Sequence, residues 1–95
     1  MIKIVVKSVL KPGSWEKLTP LYRELLEKTH QEKGCIEYSL FIDTKDENIC
    51  YMIETWENEE ALTAHGNSEH FKRIVPQFAE FSAERSEMHS LRAFE

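Results

Sequence analysis

The chain has 95 residues, with 17 acidic and 12 basic side chains and a net charge of -5. A single domain of this length buries about two-thirds of the surface its unfolded chain exposes, which leaves little room for a large cavity unless a partner chain adds cover. The acidic balance argues against nucleic acid, whose affinity comes from clustered Lys and Arg, and no apolar run reaches the ~18 residues of a membrane span.

Residues 1–95 read as one domain. The start, Met1 to Lys7, is broken by lysines and carries no signal-peptide core, so the expected address is the cytoplasm. Ile2 to Leu10 alternates as a strand. Ile2, Ile4, Val6, Ser8 and Leu10 share one face, and Lys3, Val5, Lys7, Val9 and Lys11 the other. Lys11-Pro12-Gly13 is a turn, and Ser14 is a helix N-cap by type. Leu18, Leu21, Tyr22, Leu25 and Thr29 then form one buried helical stripe. Pro20 either kinks this helix or opens a second one with Thr19 as its cap. Gly34 ends the element.

Cys35 to Asp43 reads as a strand with Ile36, Tyr38, Leu40 and Ile42 on one face. Thr44 to Asn48 is a polar turn, and Ile49 to Trp56 is the returning strand. That strand is apolar or large on both faces: Ile49, Tyr51 and Ile53 on one, Cys50, Met52 and Trp56 on the other. One layer of helices covers only one face, so a second cover is required. The hairpin register is open. A turn centred between Lys45 and Asp46 pairs Tyr38 with Ile53, and a shift by one residue turns Tyr38 to the side of Glu54 and Trp56. Cys35 and Cys50 then lie at opposite ends of the hairpin, roughly 20 Å apart at ~3.3 Å per residue, and read as buried free thiols.

Asn58 caps a short helix carrying Ala61, Leu62 and His65, which Gly66 stops. Ser68 caps the next, with Phe71, Ile74, Val75 and Phe78 as its stripe and Pro76 as a bend. Ser82 to Phe94 is a last, weakly alternating strand. Strand, helix, strand, strand, helix, strand is the ferredoxin-like α+β arrangement with an antiparallel sheet. The two-faced strand is closed most simply by a second copy, making a symmetric homodimer.

Three groups of residues bear chemistry. Glu54 and Trp56 point to the same side of one strand. If that side is buried, Glu54 needs a donor or its pKa rises. It also reads as a satisfied carboxylate tying helix to sheet, and Trp56 as core. His65 at a helix end and His70 at the next helix start offer a proton acceptor near neutral pH. His65 reads equally as a capping or core histidine. The spacing of His65 and His70 is not that of a helical zinc pair and no third ligand stands out, so no metal is assigned. His30 and His89 read as surface or strand residues. Nucleophile-elbow, phosphate-loop and dinucleotide motifs are absent.

Glu54-x-Trp56, Ala61-Leu62-x-x-His65 and Ser68-x-His70-Phe71 together resemble the antibiotic biosynthesis monooxygenase domain family. Gly34-Cys35-x-x-Tyr38 resembles its helix-to-strand junction and Lys11-Pro12-Gly13 its first turn. The resemblance implies a dimeric α/β barrel with a pocket between sheet and helices. It implies a monooxygenase using neither metal nor flavin, in which an electron-rich phenol or quinol is deprotonated and its anion reduces O₂. On that pattern His65 is the base or substrate anchor, and Glu54 orients an imidazole or a helix end. Trp56 and Tyr38 shape an aromatic slot, and His70 and Phe71 form its helical wall. The haem-degrading branch is disfavoured, since the first strand has no Asn and neither helical stretch beyond the hairpin has a Trp. Two alternatives stay open. One is an isomerase of a small signalling sugar, phosphorylated or not, which would want cations lining the pocket, with Arg73, Arg85 and Arg92 as candidates. The other is a non-catalytic ligand-binding dimer.

Overall fold

In the computed structural model, which describes residues 1–95, β1 (Ile2–Val9) leads into α1 (Trp15–Thr29) and the hairpin β2 (Cys35–Ile42) and β3 (Ile49–Trp56). Two short helices follow, α2 (Glu59–Gly66) and α3 (Glu69–Ile74), then a 3-10 turn (Val75–Phe81) and β4 (Glu87–Leu91). The sheet order is β2-β3-β1-β4 with every pairing antiparallel, so the ferredoxin-like expectation holds. The core lies between one sheet face and the helices. Ile4, Tyr38, Cys50, Met52 and Trp56 meet Leu18, Tyr22, Leu25 and Ile74 there.

Pro20 neither starts a new helix nor divides α1, which runs unbroken from Trp15 to Thr29. Burial of the Leu18, Tyr22, Leu25 and Thr29 stripe outweighs the missing N–H. Ser14 is not a side-chain cap. Its backbone is already helical, and its hydroxyl donates to the Lys11 carbonyl at 2.6 Å, closing the preceding turn. Asn58 and Ser68 do cap, accepting from the Ala61 and Phe71 amides. α3 stops at Ile74, and Pro76 lies in the 3-10 turn that follows. The last strand is shorter than Ser82 to Phe94. Ser82 makes only an isolated bridge to Leu10, and β4 is confined to Glu87–Leu91 at the exposed sheet edge.

The hairpin contains both registers that the sequence leaves open. Cys35 pairs with Trp56, but beyond a β-bulge Tyr38 pairs with Glu54. Ile36 is the extra residue and is 56% exposed, so it does not share the Tyr38 face. Tyr38 therefore joins Glu54 and Trp56 under the helices. Cys35 and Cys50 are both free; Cys50 is buried, whereas Cys35, on the edge strand, is only half-buried. The sheet face away from the helices carries Val5, Val9, Phe41, Tyr51, Ile53 and Leu91, with Lys3 and Glu37 paired at 3.6 Å among them.

Candidate active site

Between the sheet and the helices lies a cavity of about 860 Å³, large for one small chain without a partner. Ile4, Val6, Tyr38, Met52 and Glu54 form its floor. Tyr22, Leu62, His65, Phe71, Val75 and Phe78 form its roof, and residues 82–86 with Met88 its mouth. The lining is chiefly apolar, with Glu54 and His65 inside and Ser82, Glu84, Arg85 and Ser86 at the mouth, the ordinary make-up of a small-molecule site.

Asn58 starts α2 so that His65 falls on its last turn, facing the sheet. The ring is 2% exposed. It sits 4.6 Å from the Trp56 ring, 5.2 Å from Tyr38 and 5.0 Å from Phe71, measured between centroids. Its Nδ1 stands 2.7 Å from Glu32 Oε2. A carboxylate only accepts, so Nδ1 carries the hydrogen and Nε2 the lone pair. That Nε2 is buried, without a hydrogen-bond partner, on a residue that lines the cavity. Burial lowers the His65 pKa from its usual 6.5, and the Glu32 hydrogen bond opposes the shift. The imidazole is thus held neutral and oriented, as a proton acceptor must be.

Glu54 lies on the floor nearby. Its Oε1 accepts from Trp56 Nε1 at 2.9 Å. Burial raises its pKa, the indole N–H works against this, and the Glu32 charge adds to it. Tyr38 is pushed up in the same way by burial and by Glu54, so its phenol keeps its proton.

Of the residues singled out from the sequence, Tyr38, Glu54, His65 and Phe71 line the cavity. Trp56 and His70 do not. Trp56 is wholly buried behind Glu54 and His65. His70 faces away and meets Glu32 Oε2 at 2.8 Å through Nε2. Among the arginines only Arg85 reaches the cavity mouth, while Arg73 binds Glu24 and Glu69 on the outer surface. Arg92 lies at a separate shallow surface depression.

Glu32 is the residue that sequence reasoning missed. It sits in the polar stretch His30-Gln31-Glu32-Lys33, which the sequence assigns to the end of the first helix before Gly34; the helix instead stops at Thr29 and the stretch is a loop. The usable signal is Gly34. Its φ of +84° turns the chain, its carbonyl accepts from the Glu57 amide at 2.8 Å, and a Cβ there would lie 2.5 Å from Ala61 Cβ. The loop is pressed against α2 at that point, which delivers Glu32 to both histidines. Glu32, His65 and His70 together present ligand atoms within 4.8 Å of one another.

The model of the antibiotic biosynthesis monooxygenase family matches residues 1–77. A crystal structure of an antibiotic biosynthesis monooxygenase is 37% identical, covers all of both chains and superposes with a TM-score of 0.94. A conserved protein from Methanosarcina mazei Go1 is 33% identical over 96% of this chain and 90% of its own, with a TM-score of 0.92. The uncharacterized protein sll1783 of Synechocystis sp. is 29% identical over 79 residues, 83% of this chain and 54% of its own length, so the chain spans about half of that relative. With fold, junction glycine and aromatic-histidine cluster in place, the chain belongs to the antibiotic biosynthesis monooxygenase family.

Proposed function

We propose that this protein is a monooxygenase that works without a prosthetic group, joining O₂ to a quinol-like or polyphenolic small molecule as one half of a homodimer. The observation that carries the reading is the buried, partnerless Nε2 of His65 on the cavity wall, backed by Glu32 at 2.7 Å. A hydroquinone in the cavity gives its phenolic proton to Nε2, and Glu32 stabilises the imidazolium that forms. The phenolate passes one electron to O₂. Semiquinone and superoxide combine at a ring carbon, the His65 imidazolium returns its proton to the peroxide formed, and the resulting hydroperoxide loses water. Hydroquinone and O₂ thereby become a hydroxyquinone and water. Glu54, on the cavity floor with Oε1 held by Trp56 Nε1, hydrogen-bonds the second hydroxyl of the substrate. Tyr38 and Phe71 bracket the ring, and the apolar walls keep water from the radical pair.

The homodimer reading rests on the uncovered sheet face. Phe41 is 52% and Leu91 48% exposed there, beside Val5, Tyr51 and Ile53. A second copy of the same face buries this patch with two-fold symmetry.

The test is oxygen consumption by chelator-treated protein with a hydroquinone series. Uptake with stoichiometric hydroxyquinone is expected. His65→Ala is expected to lower kcat by about 10²- to 10⁴-fold, the usual share of a general base. Uptake unchanged in that variant, with its fold intact by circular dichroism, would remove His65 from the chemistry.

A further inference from the structure

We propose that Glu32, His65 and His70 form a zinc site whose occupancy reverses the tautomer of His65. The three ligand atoms are Glu32 Oε2, His65 Nδ1 and His70 Nε2, which converge within 4.8 Å. They come from three places: the loop after α1, the last turn of α2 and the first turn of α3. Two imidazoles and one carboxylate suit a borderline-soft divalent ion, and three protein ligands plus water make a tetrahedral set.

The fit is close. Ligands ~2.0–2.2 Å from a tetrahedral zinc stand ~3.4 Å apart, so the contacts to Oε2 at 2.7 and 2.8 Å need to open by roughly 0.6–0.7 Å, and the two imidazole nitrogens, no more than 4.8 Å apart, need to settle at the same spacing. The Glu32 and His70 side chains are 15% and 12% exposed, so the ion enters from the outer surface. His65 contributes its outward nitrogen, and its other nitrogen stays in the cavity. The site and the cavity therefore share one imidazole ring and approach it from opposite sides.

This sharing has a chemical result. Without metal, the hydrogen lies on Nδ1 and the lone pair on Nε2. Zinc takes the Nδ1 lone pair, and the ring hydrogen moves to Nε2. The ring stays neutral, and no proton is gained or lost. The cavity then meets an N–H donor in place of an acceptor, and a phenol has no base. The switching role rests on the function proposed above, but the metal site does not.

Calorimetry of tag-free, chelator-stripped protein with zinc chloride tests the site. One zinc per chain is expected, with affinity weakened by ~100-fold or more in Glu32→Gln and in His70→Ala, at or beyond the range for loss of a metal's supporting shell. Cys35→Ser, which removes a half-buried free thiol, leaves the affinity unchanged. Cobalt in place of zinc gives the intense visible bands of a tetrahedral ion. Long-range proton–nitrogen spectra show the His65 hydrogen on Nδ1 without metal and on Nε2 with it. Absence of stoichiometric binding, or binding indifferent to His70→Ala, overturns the site. Binding with the expected ligand dependence but unimpeded hydroquinone oxidation keeps the site and overturns the base role of His65.

Discussion

Glu32 and His65 are 33 positions apart in the chain and 2.7 Å apart in space. Neither is informative alone. Together they fix which ring nitrogen carries hydrogen and which faces the cavity. Glu32 does not line the cavity, so in the proposed function it would act through the histidine.

Glu32→Gln separates that positioning from binding. Glutamine still accepts from Nδ1 but cannot offset the positive ring. In zinc-free buffer kcat is expected to fall by about 10- to 100-fold, with KM little changed. Steady-state oxygen uptake over a substrate range checks this. A rise in KM at constant kcat would place Glu32 in substrate binding instead.

Glu54 makes stability depend on pH. Its folded pKa is raised, chiefly by burial. The native state therefore holds this proton more tightly than the unfolded chain. The contribution is full below the unfolded value, about 4.3, and is lost as pH rises through the folded value. Glu54→Gln keeps an acceptor for Trp56 Nε1 and removes the charge. Its Tm relative to wild type is expected to be higher at pH 8 than at pH 4. Thermal melts at the two pH values decide the sign, and an equal difference at both would show that Glu54 is not strained when ionised.

Gly34→Ala and Gly13→Ala form a matched pair. Both glycines have φ near +80°, but only Gly34 has a neighbour where a Cβ would go. Gly13→Ala carries the backbone strain alone, about 1–2 kcal/mol. Gly34→Ala adds overlap with Ala61 Cβ, a further cost of about 1–3 kcal/mol, and displaces the loop that holds Glu32. Urea unfolding measures both. Equal losses would mean that α2 yields to the extra methyl at no cost.

Ile53→Asp tests the second copy. Ile53 lies at the middle of the uncovered face, opposite Val5 and Ser39. Sedimentation is expected to give a dimer for the wild type at micromolar concentration and a monomer for the variant. A monomeric wild type would leave the apolar face to some other partner.

The order of elements was legible because hydrophobic spacing and turn residues agree along most of the chain. Alternation in Ile2 to Leu10 and the Leu18 to Thr29 stripe left little choice. Pro20 sits inside an unbroken helix because packing offsets its local cost, and only the cost is visible in the sequence. The final strand is shorter than its sequence suggests because its alternation is weak and nothing marks where pairing with β1 stops. In the site, the sequence indicated His65, Glu54, Tyr38 and Phe71, all of which line the cavity. Strand alternation puts Trp56 on the face of Glu54, and the family resemblance puts Trp56 and His70 at the pocket, but neither reveals on which side of His65 each side chain lies. Glu32 gives no signal of its own, because nothing in the polar stretch before Gly34 announces a contact 33 positions away.

The extra residue in β2 has a consequence of its own. Upstream of Ile36 the strand keeps the phase set by Cys35 and Trp56, and downstream it keeps that of Tyr38 and Glu54. Were the phase continuous from Cys35, the Tyr38 phenol would point out toward the sheet's far side and the cavity would lose part of its floor. Shortening or lengthening the arm between Tyr38 and the turn by one position would undo this correction, so tolerance to indels should differ sharply across a few neighbouring codons.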